Sequence, residues 1–326
     1  MAKEKRGLPF WRYEERIPTD DFEEIIYEKD GPVGRLILNQ PERRNPLSYG
    51  RICELAMGLM EMEMDPDIRV IIIKGAGTAF CSGYDLTPGK SRINNPNPDG
   101  DYRKSLNWAD VGDPPGGVYW DPRWDHRWFA KYQFFSRELY FRMFDLQKPI
   151  IAQIHGYCLA GGTHLAGFSD LRIVAEDAEI GFPVIKNLTV EGFQYEYWLM
   201  GATRAKYYLF TGKPMTGKQA YEWGWASQAV PADKLEEETE SLAREIAQTD
   251  PLLLMMTKRN INRQMELQGF KNGMQWSMDV HSAAGGAMYG SDAKEFWKRG
   301  AEGGLREAID WRDNNFGIQY PANQDS

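Results

Sequence analysis

The chain has 326 residues, of which 42% are apolar, so it is long enough for one large domain or two smaller ones with a sizeable buried core. Its net charge of −8 argues against a nucleic-acid-binding face, and its charged N-terminus lacks the apolar segment of a signal peptide. No apolar run approaches the length needed to cross a bilayer. Three widely spaced cysteines, Cys53, Cys81 and Cys158, suit a reducing compartment better than a disulfide framework. We therefore expect a cytoplasmic protein without nucleic-acid or membrane partners.

The first part of the chain alternates strand and helix patterns. Two β-rich runs, 22–27 and 33–39, flank a Lys-Asp-Gly-Pro turn and predict a hairpin. Ser48 is placed to cap a helix that continues to about Met64, because apolar residues recur there at helical spacing. A buried type of strand follows at 70–74. This order predicts α/β layering.

The middle of the chain changes composition before the alternation resumes. From Thr87 to about Pro122 the residues are mainly Asn, Pro, Gly and Asp, and four tryptophans lie in or beside this segment. A disordered linker rarely carries so many aromatic residues, so we expect this insertion to pack over another part of the protein. Further strands are predicted at 149–154, 171–175 and 178–182, and helices at 129–146, 195–200, 203–211, 216–222, 232–249, 251–267 and 293–311.

Two glycine-containing turns are the most informative segments. AFCSGYDL covers 79–86, and HGYCLAGGTHLAGFSDL covers 155–171; each turn follows a short apolar segment, and the second opens a helix of small residues. Glycine permits close backbone approach, so such turns can direct N–H groups at one oxygen atom. The two turns predict a site that binds an oxyanion, although each could also serve only as a tight chain reversal.

The second turn also approaches a phosphate-binding pattern. Gly156 to Thr163 follows a strand and opens a helix, but Gly162 occupies the position of the lysine in G-x-x-x-x-G-K-[ST]. That lysine supplies the cation for the terminal phosphates. Its absence argues against a nucleotide triphosphatase.

Taken together, these blocks resemble the crotonase (enoyl-CoA hydratase/isomerase) superfamily. The resemblance rests on several ordered segments: LNQPERRNPLS, IRVIIIKGAGTAFCSGYDL, KPIIAQIHGYCLAGGTHLAGFSDLRIVAEDAEIGFP, MGATRAKYYLFTGKPMTGKQAYEWGWASQAVP, PLLLMMTKRNINR and EGGLREAIDWRDNNFG. It implies an α/β fold with a ββα spiral core and a C-terminal helical region that forms trimers. The expected organisation is an N-terminal extension at 1–20, the core at 21–230 with the Trp-rich insertion at about 87–128, and the helical region at 231–326.

The resemblance also implies an oxyanion hole. In this family, two backbone N–H groups bind the thioester carbonyl of an acyl-CoA and stabilise an enolate-like intermediate. By position, the donors here are Tyr84 and Gly161. Removing one such donor typically costs about 3 kcal/mol of transition-state stabilisation.

The positions of the usual catalytic glutamates depart from the family pattern. The first is His164 and the second is Val184, which argues against hydration of simple straight-chain substrates by the two-glutamate arrangement. His164 becomes the leading candidate for acid–base chemistry, because imidazole titrates near neutral pH; a hydrogen-bonded core histidine is the alternative. Glu191 is the second candidate when a one-residue gap is allowed in the comparison, and a solvated loop glutamate is its alternative.

Other residues are candidates for substrate contact. Arg43, Arg44, Ser82 and Lys258 are expected to bind the CoA part by resemblance, whereas solubility is the alternative interpretation of the charged ones. His126, in the Trp-rich insertion, is a weaker candidate for covering the site.

The aromatic residues suggest the kind of acyl group. The insertion, followed by Phe134, Phe135 and Tyr140, is suited to a flat aromatic wall against a cyclic or aryl acyl group, although it could instead serve subunit packing.

The sequence therefore predicts an acyl-CoA hydratase or a hydrolase that cleaves a carbon–carbon bond. An isomerase or dehalogenase of the same fold and a non-catalytic CoA-binding protein are the alternatives. No metal or other cofactor is expected beyond the CoA of the substrate. The expected assembly is a homotrimer or a dimer of trimers.

Overall fold

The computed structural model describes residues 19–86, 136–284, 291–318 and 320. The predicted N-terminal extension up to residue 18, the Trp-rich insertion with His126, and Phe134 and Phe135 lie outside these residues. Within the described ranges, no helix is both long enough and apolar enough to span a bilayer. The predicted boundary between core and helical region at residue 230 stays a prediction.

A six-stranded sheet forms the centre of the fold, with the strand order β1-β2-β3-β4-β6-β9. The hairpin of β1 and β2 is antiparallel as predicted, and the remaining neighbours are parallel. Both β2 and β4 are buried along their whole length, as expected for strands covered on both faces. The strands are β1 Ile25–Asp30, β2 Val33–Leu38, β3 Val70–Gly75, β4 Ile150–Ile154, β6 Leu171–Ala175 and β9 Gln228–Val230.

A second, smaller sheet has the order β5-β7-β8, with β5 Tyr157–Leu159, β7 Glu179–Gly181 and β8 Met215–Thr216. The chain visits the two sheets in turn, since β4 leads to β5 and β6 leads to β7. An isolated parallel bridge between Cys81 and Cys158 adds the segment after β3 to this pattern. Strand β5 was predicted as part of the glycine turn. It is a strand because it pairs with β7, which lies about twenty residues further along the chain.

The helices surround these sheets. They are α1 Tyr49–Met64, α2 Arg142–Asp145 after a π-helical turn at Ser136–Phe141, α3 Gly161–Gly167, α4 Glu196–Thr211, α5 Gly217–Glu222, α6 Leu235–Ile246, α7 Pro251–Leu267, α8 Phe270–Ala284, α9 Ser291–Gly303 and α10 Leu305–Phe316. The Oγ atom of Ser48 accepts a hydrogen bond from Arg51 N, which confirms the predicted cap of α1.

The helices differ from the prediction in three places. The segments predicted at 195–200 and 203–211 form one element, α4, which is kinked at Gly201 with φ 75°. The helix predicted at 293–311 is two helices, because Gly304 has a φ of 90° and breaks it. Helix α8 was missed, since Gly269 and Gly273 lower the helical propensity of its sequence.

Candidate active site

The first glycine turn directs the N–H of Tyr84 away from its neighbouring segment. Leu47 N donates to Gly83 O at 2.7 Å, and Asp85 N donates to Leu47 O at 3.0 Å. In a parallel bridge of this kind, the central residue's own N–H faces the opposite side. Tyr84 N therefore points away from Leu47, and no acceptor for it lies among the described residues.

The second glycine turn presents the N–H of Gly161, the first residue of α3. Ala160 precedes it with φ 46° and ψ −116°, an unusual conformation for a residue with a side chain. Ala160 N donates to Gly181 O at 2.8 Å and Ala160 O accepts from Thr163 N at 2.8 Å, so the turn is held from both sides. In the part of the chain described, Gly161 N likewise has no acceptor, as expected in the first turn of a helix.

The two turns are in direct contact. A Cβ atom built on Gly83 would lie 3.0 Å from Ala160 Cβ and 3.5 Å from Gly161 N. A Cβ atom on Gly161 would lie 2.9 Å from Cδ2 and Cε2 of the Tyr84 ring. The structure thus brings together the two predicted donor residues, with glycine required at both points of close approach.

His164 lies on α3, one helical turn after Gly161, and its side chain is 2% exposed. Its Nδ1 atom is 3.1 Å from the Tyr84 hydroxyl, which is in turn 2.8 Å from the Tyr140 hydroxyl. Its Nε2 atom is 2.5 Å from Oε1 of Glu191. That oxygen is not aligned for a hydrogen bond with the ring nitrogen, so the two groups are in close polar contact without a well-aligned hydrogen bond.

Glu191 is buried, with 1% exposure, which excludes the interpretation as a solvated loop residue. Its Oε1 atom also accepts a hydrogen bond from Phe193 N at 2.9 Å. Its Oε2 atom is buried without a hydrogen-bond partner among the described residues. The structure therefore brings the two predicted catalytic residues together, 27 positions apart in sequence.

Burial also shifts the proton affinity of two neighbouring groups. Burial, followed by the charge of Glu191, raises the pKa of the Tyr84 phenol well above its usual range, although the hydrogen bond from Tyr140 opposes this rise. Glu196, at the start of α4, was not identified from sequence. Its carboxyl is fully buried, and burial together with the nearby Glu191 charge raises its pKa well above the usual value.

Aromatic rings enclose the imidazole of His164. Phe193 meets it edge to face with ring centroids 4.9 Å apart, and Phe182 stacks at 5.9 Å. Tyr140 is 5.9 Å away and, among the residues of the predicted aromatic wall, is the one that the structure describes. This apolar lining strengthens the electrostatic contacts of the Tyr84–His164–Glu191 chain.

A histidine missed by the sequence analysis anchors the loop that carries Glu191. His281, on α8, has its Nδ1 atom 2.7 Å from Val190 O and 3.1 Å from Thr189 Oγ1. Burial lowers its pKa, and because a carbonyl oxygen can only accept, Nδ1 carries a proton and donates it to Val190 O. His281 lies on a helix that the sequence did not predict, and its partners are about 90 positions away in the chain. The contact therefore became visible only in the folded structure.

The predicted CoA-binding arginines lie beside the first turn. Arg43 forms a bidentate pair with Asp85 at 2.8 and 2.7 Å, and Ser82 Oγ donates to Arg43 O at 3.4 Å. Arg44 is exposed, with its guanidinium 4.6 Å from the centre of the Tyr157 ring. These residues therefore surround the segment that carries Tyr84.

Lys258 is held by contacts within its own chain. It is 7% exposed, and its ammonium donates to Asp170 Oδ2 at 2.7 Å, Lys148 O at 3.1 Å and Met143 O at 3.2 Å. Three acceptors use all three of its protons, which leaves none for a phosphate. In this structure Lys258 joins α7 to the core, and its predicted contact with CoA stays a prediction.

Comparisons with known proteins find matches that cover most of the chain. The family model described as enoyl-CoA hydratase/isomerase matches residues 28–110 and 126–286. A Mycobacterium tuberculosis protein named as an enoyl-CoA hydratase, EchA13, is 30% identical over 266 residues, which is 80% of each chain.

Solved structures of enoyl-CoA hydratases share the fold. One from Mycobacterium smegmatis has a TM-score of 0.77 at 32% identity and covers 92% of this chain and 97% of its own. An enoyl-CoA hydratase/isomerase from Xanthobacter autotrophicus has a TM-score of 0.74 at 29% identity, with coverage of 90% and 98%. The predicted fold class is therefore confirmed.

Proposed function

The chain belongs to the enoyl-CoA hydratase/isomerase family and is an acyl-CoA-transforming enzyme, and we propose that it adds water to a ring-containing acyl-CoA through an enolate. The thioester carbonyl would accept hydrogen bonds from Tyr84 N and Gly161 N. The observation that carries the proposal is the contact between the two turns, with both N–H groups free of acceptors in the described chain and the His164–Glu191 pair directly beside them.

Acid–base chemistry would come from His164 and Glu191. Neither position of the usual glutamate pair carries a carboxylate here, yet Glu191 reaches the same helix from the following loop. A buried carboxylate beside an imidazole orients the ring and stabilises its protonated form. This arrangement can take a proton from water and return one to carbon, as hydration or hydrolytic carbon–carbon cleavage requires.

The surroundings favour a cyclic or aromatic acyl group. Phe182, Phe193 and Tyr140 line the reacting groups, and flat rings pack well against such side chains. Arg43, Arg44 and Ser82 would contact the CoA part, because they flank the turn that carries Tyr84. No cofactor beyond the CoA of the substrate is part of this proposal.

Product analysis in heavy-oxygen water tests the proposal. The protein is incubated with straight-chain, cyclic and aryl acyl-CoAs, and the products are examined by mass spectrometry. A product that retains CoA and carries one added labelled water, formed fastest from a cyclic or aryl substrate, supports the proposal. Conversion without label would indicate an isomerase, exchange of a halogen for labelled oxygen would indicate a dehalogenase, and binding without turnover would indicate a non-catalytic protein.

The proposal also includes self-assembly into a trimer or a dimer of trimers in the cytoplasm. Leu252, Leu253 and Met256 on α7 and Trp276 on α8 are large apolar residues that are 58 to 70% exposed in the single chain. Such a surface is typical of an interface between subunits. Cys81 and Cys158 are buried free thiols, which suits a reducing compartment. Light scattering of the wild type and of Trp276→Glu tests the assembly, and a monomeric wild type would contradict it.

A further inference from the structure

Tyr84 brings two different groups to the same place. Its N–H is one of the two proposed oxyanion donors, and its phenol is the first member of a series of polar contacts that runs through His164 to Glu191. Because both groups belong to one residue, the hydroxyl lies within one side-chain length of the proposed thioester site. Tyr84 is also half-buried, whereas His164 and Glu191 are almost completely enclosed.

The contacts define which atoms donate and which accept along this series of groups. Because Glu191 Oε1 lies 2.5 Å from His164 Nε2, a lone pair on that nitrogen would be repelled by the carboxylate oxygen, so the ring proton belongs on Nε2. With that proton on Nε2, the Nδ1 atom of the neutral ring is an acceptor. The Tyr84 hydroxyl then donates to Nδ1 at 3.1 Å and accepts from the Tyr140 hydroxyl at 2.8 Å.

His164 is poorly placed to meet a substrate itself. Both of its ring nitrogens are engaged, one by Tyr84 and the other by Glu191, and only 2% of the residue is exposed. The Tyr84 ring lies against Gly161 of the second turn, and its centre is 5.7 Å from the centre of the His164 imidazole. A proton from the substrate side would therefore meet the phenol before it meets the imidazole.

We propose that the Tyr84 hydroxyl is the catalytic acid–base group that exchanges protons with water and the acyl chain, and that His164 and Glu191 are positioning residues that act through it. This proposal rests on the proposed hydration. It gives Tyr84 a chemical role beyond its backbone N–H.

The proton transfers balance without a further reactant. As the oxygen of water bonds to the β-carbon of the enoyl group, its proton passes to Tyr84 Oη, and the phenol proton passes to His164 Nδ1. Glu191 stabilises the imidazolium, while the electron pair of the double bond moves to the thioester oxygen. The imidazolium then returns its proton to Tyr84, which gives one to the α-carbon as the enolate collapses. The raised pKa of the phenol keeps it protonated at rest, as a proton carrier requires.

Tyr84→Phe is the central test, because it retains the ring over Gly161 and the backbone N–H. On the best substrate from the product analysis, kcat should fall by about 10²-fold to 10⁴-fold, the range for loss of a general acid–base group. The dissociation constant of a saturated, unreactive acyl-CoA should remain within about threefold of wild type. Tyr208→Phe is the matched control, since it removes another buried phenol hydroxyl outside this chain and should retain wild-type kcat.

Two further measurements separate a chemical role from a structural one. The double variant Tyr84→Phe/Glu191→Gln should be no slower than the slower single variant, because residues of one proton-transfer unit are non-additive. Nitrogen NMR of the histidines should show an accepting Nδ1 for His164 in wild type, and this resonance should move in Tyr84→Phe and not in Tyr208→Phe.

The outcomes distinguish this proposal from the proposed function. If wild type hydrates a substrate and Tyr84→Phe does so equally fast, the role of the phenol is wrong while hydration stands. Unchanged His164 resonances in Tyr84→Phe, or multiplicative losses in the double variant, would also overturn it. If wild type converts no acyl-CoA with incorporation of water, the hydration proposal and the phenol's role in it fail together.

Discussion

Replacing Lys258 with methionine is expected to destabilise the fold without weakening the binding of CoA. Methionine retains the length and apolar stem of lysine but removes the ammonium that contacts Asp170 and two main-chain carbonyls. Breaking a buried ion pair by removing one partner typically costs about 3–5 kcal/mol. Because the Asp170 side chain is 24% exposed, we expect a loss near the lower end, about 3 kcal/mol in the free energy of unfolding.

The charge-neutral double variant provides the control. Lys258→Met/Asp170→Asn removes both charges, and the asparagine oxygen can still accept the 2.8 Å hydrogen bond from Ile150 N. It should recover a large part of the lost stability, because no buried charge is left without a partner. Urea unfolding at one protein concentration measures the stability of all three proteins.

The pH dependence of the stability of Lys258→Met is an independent test. Burial raises the pKa of Asp170, and the Lys258 charge opposes this rise. Without that charge the folded-state pKa rises further above the unfolded value, so the added instability should grow as pH increases above about 4. The deficit of Lys258→Met relative to wild type should therefore be larger at pH 8 than at pH 5.

Binding of CoA decides between the structural contact and the contact expected from resemblance. Calorimetric titration of folded Lys258→Met with CoA should give a dissociation constant within about twofold of wild type. The opposite result would be a Lys258→Met protein that unfolds at the same urea concentration as wild type but binds CoA tenfold more weakly. It would show that Lys258 binds CoA and does not stabilise the fold.

Three further changes probe the candidate site. Glu196→Gln removes a carboxyl whose pKa is higher in the folded than in the unfolded protein. As the pH rises above 4.5, the stability of the wild type should therefore fall relative to this variant, by up to about 1.4 kcal/mol per pH unit. Parallel curves of stability against pH would contradict this. Gly161→Ala places a methyl group 2.9 Å from the Tyr84 ring and should lower kcat at least about tenfold. The control is Gly273→Ala, whose Cβ meets no atom within 4 Å. Retained activity of Gly161→Ala would show that the two turns tolerate displacement. Arg44→Ala should raise the KM for acyl-CoA severalfold with kcat unchanged, as for a group that binds ground state and transition state equally, and an unchanged KM would remove Arg44 from the binding site.

Local sequence patterns were sufficient for much of the fold. The hairpin, the cap of α1 at Ser48 and the long buried strands follow from periodicity and turn chemistry, which act over a few residues. Helix α8 was missed and one helix was not divided at Gly304, because glycine lowers propensity in one place and breaks the helix in another. Packing decides between these outcomes, and local propensity does not record it.

The candidate site divides along the same line. The sequence by itself determined the two glycine turns and the presence of His164 three residues after Gly161, since each is a property of a short segment. Only the tertiary structure decided that Glu191 is buried against His164, that the Tyr84 phenol engages its other nitrogen, and that Lys258 is held within its own chain. These contacts join residues 27, 80 and 88 positions apart, so they depend on the order of the strands and the direction of α3 and α7. Burial and hydrogen-bond partners are properties of that three-dimensional arrangement, and no local pattern encodes them.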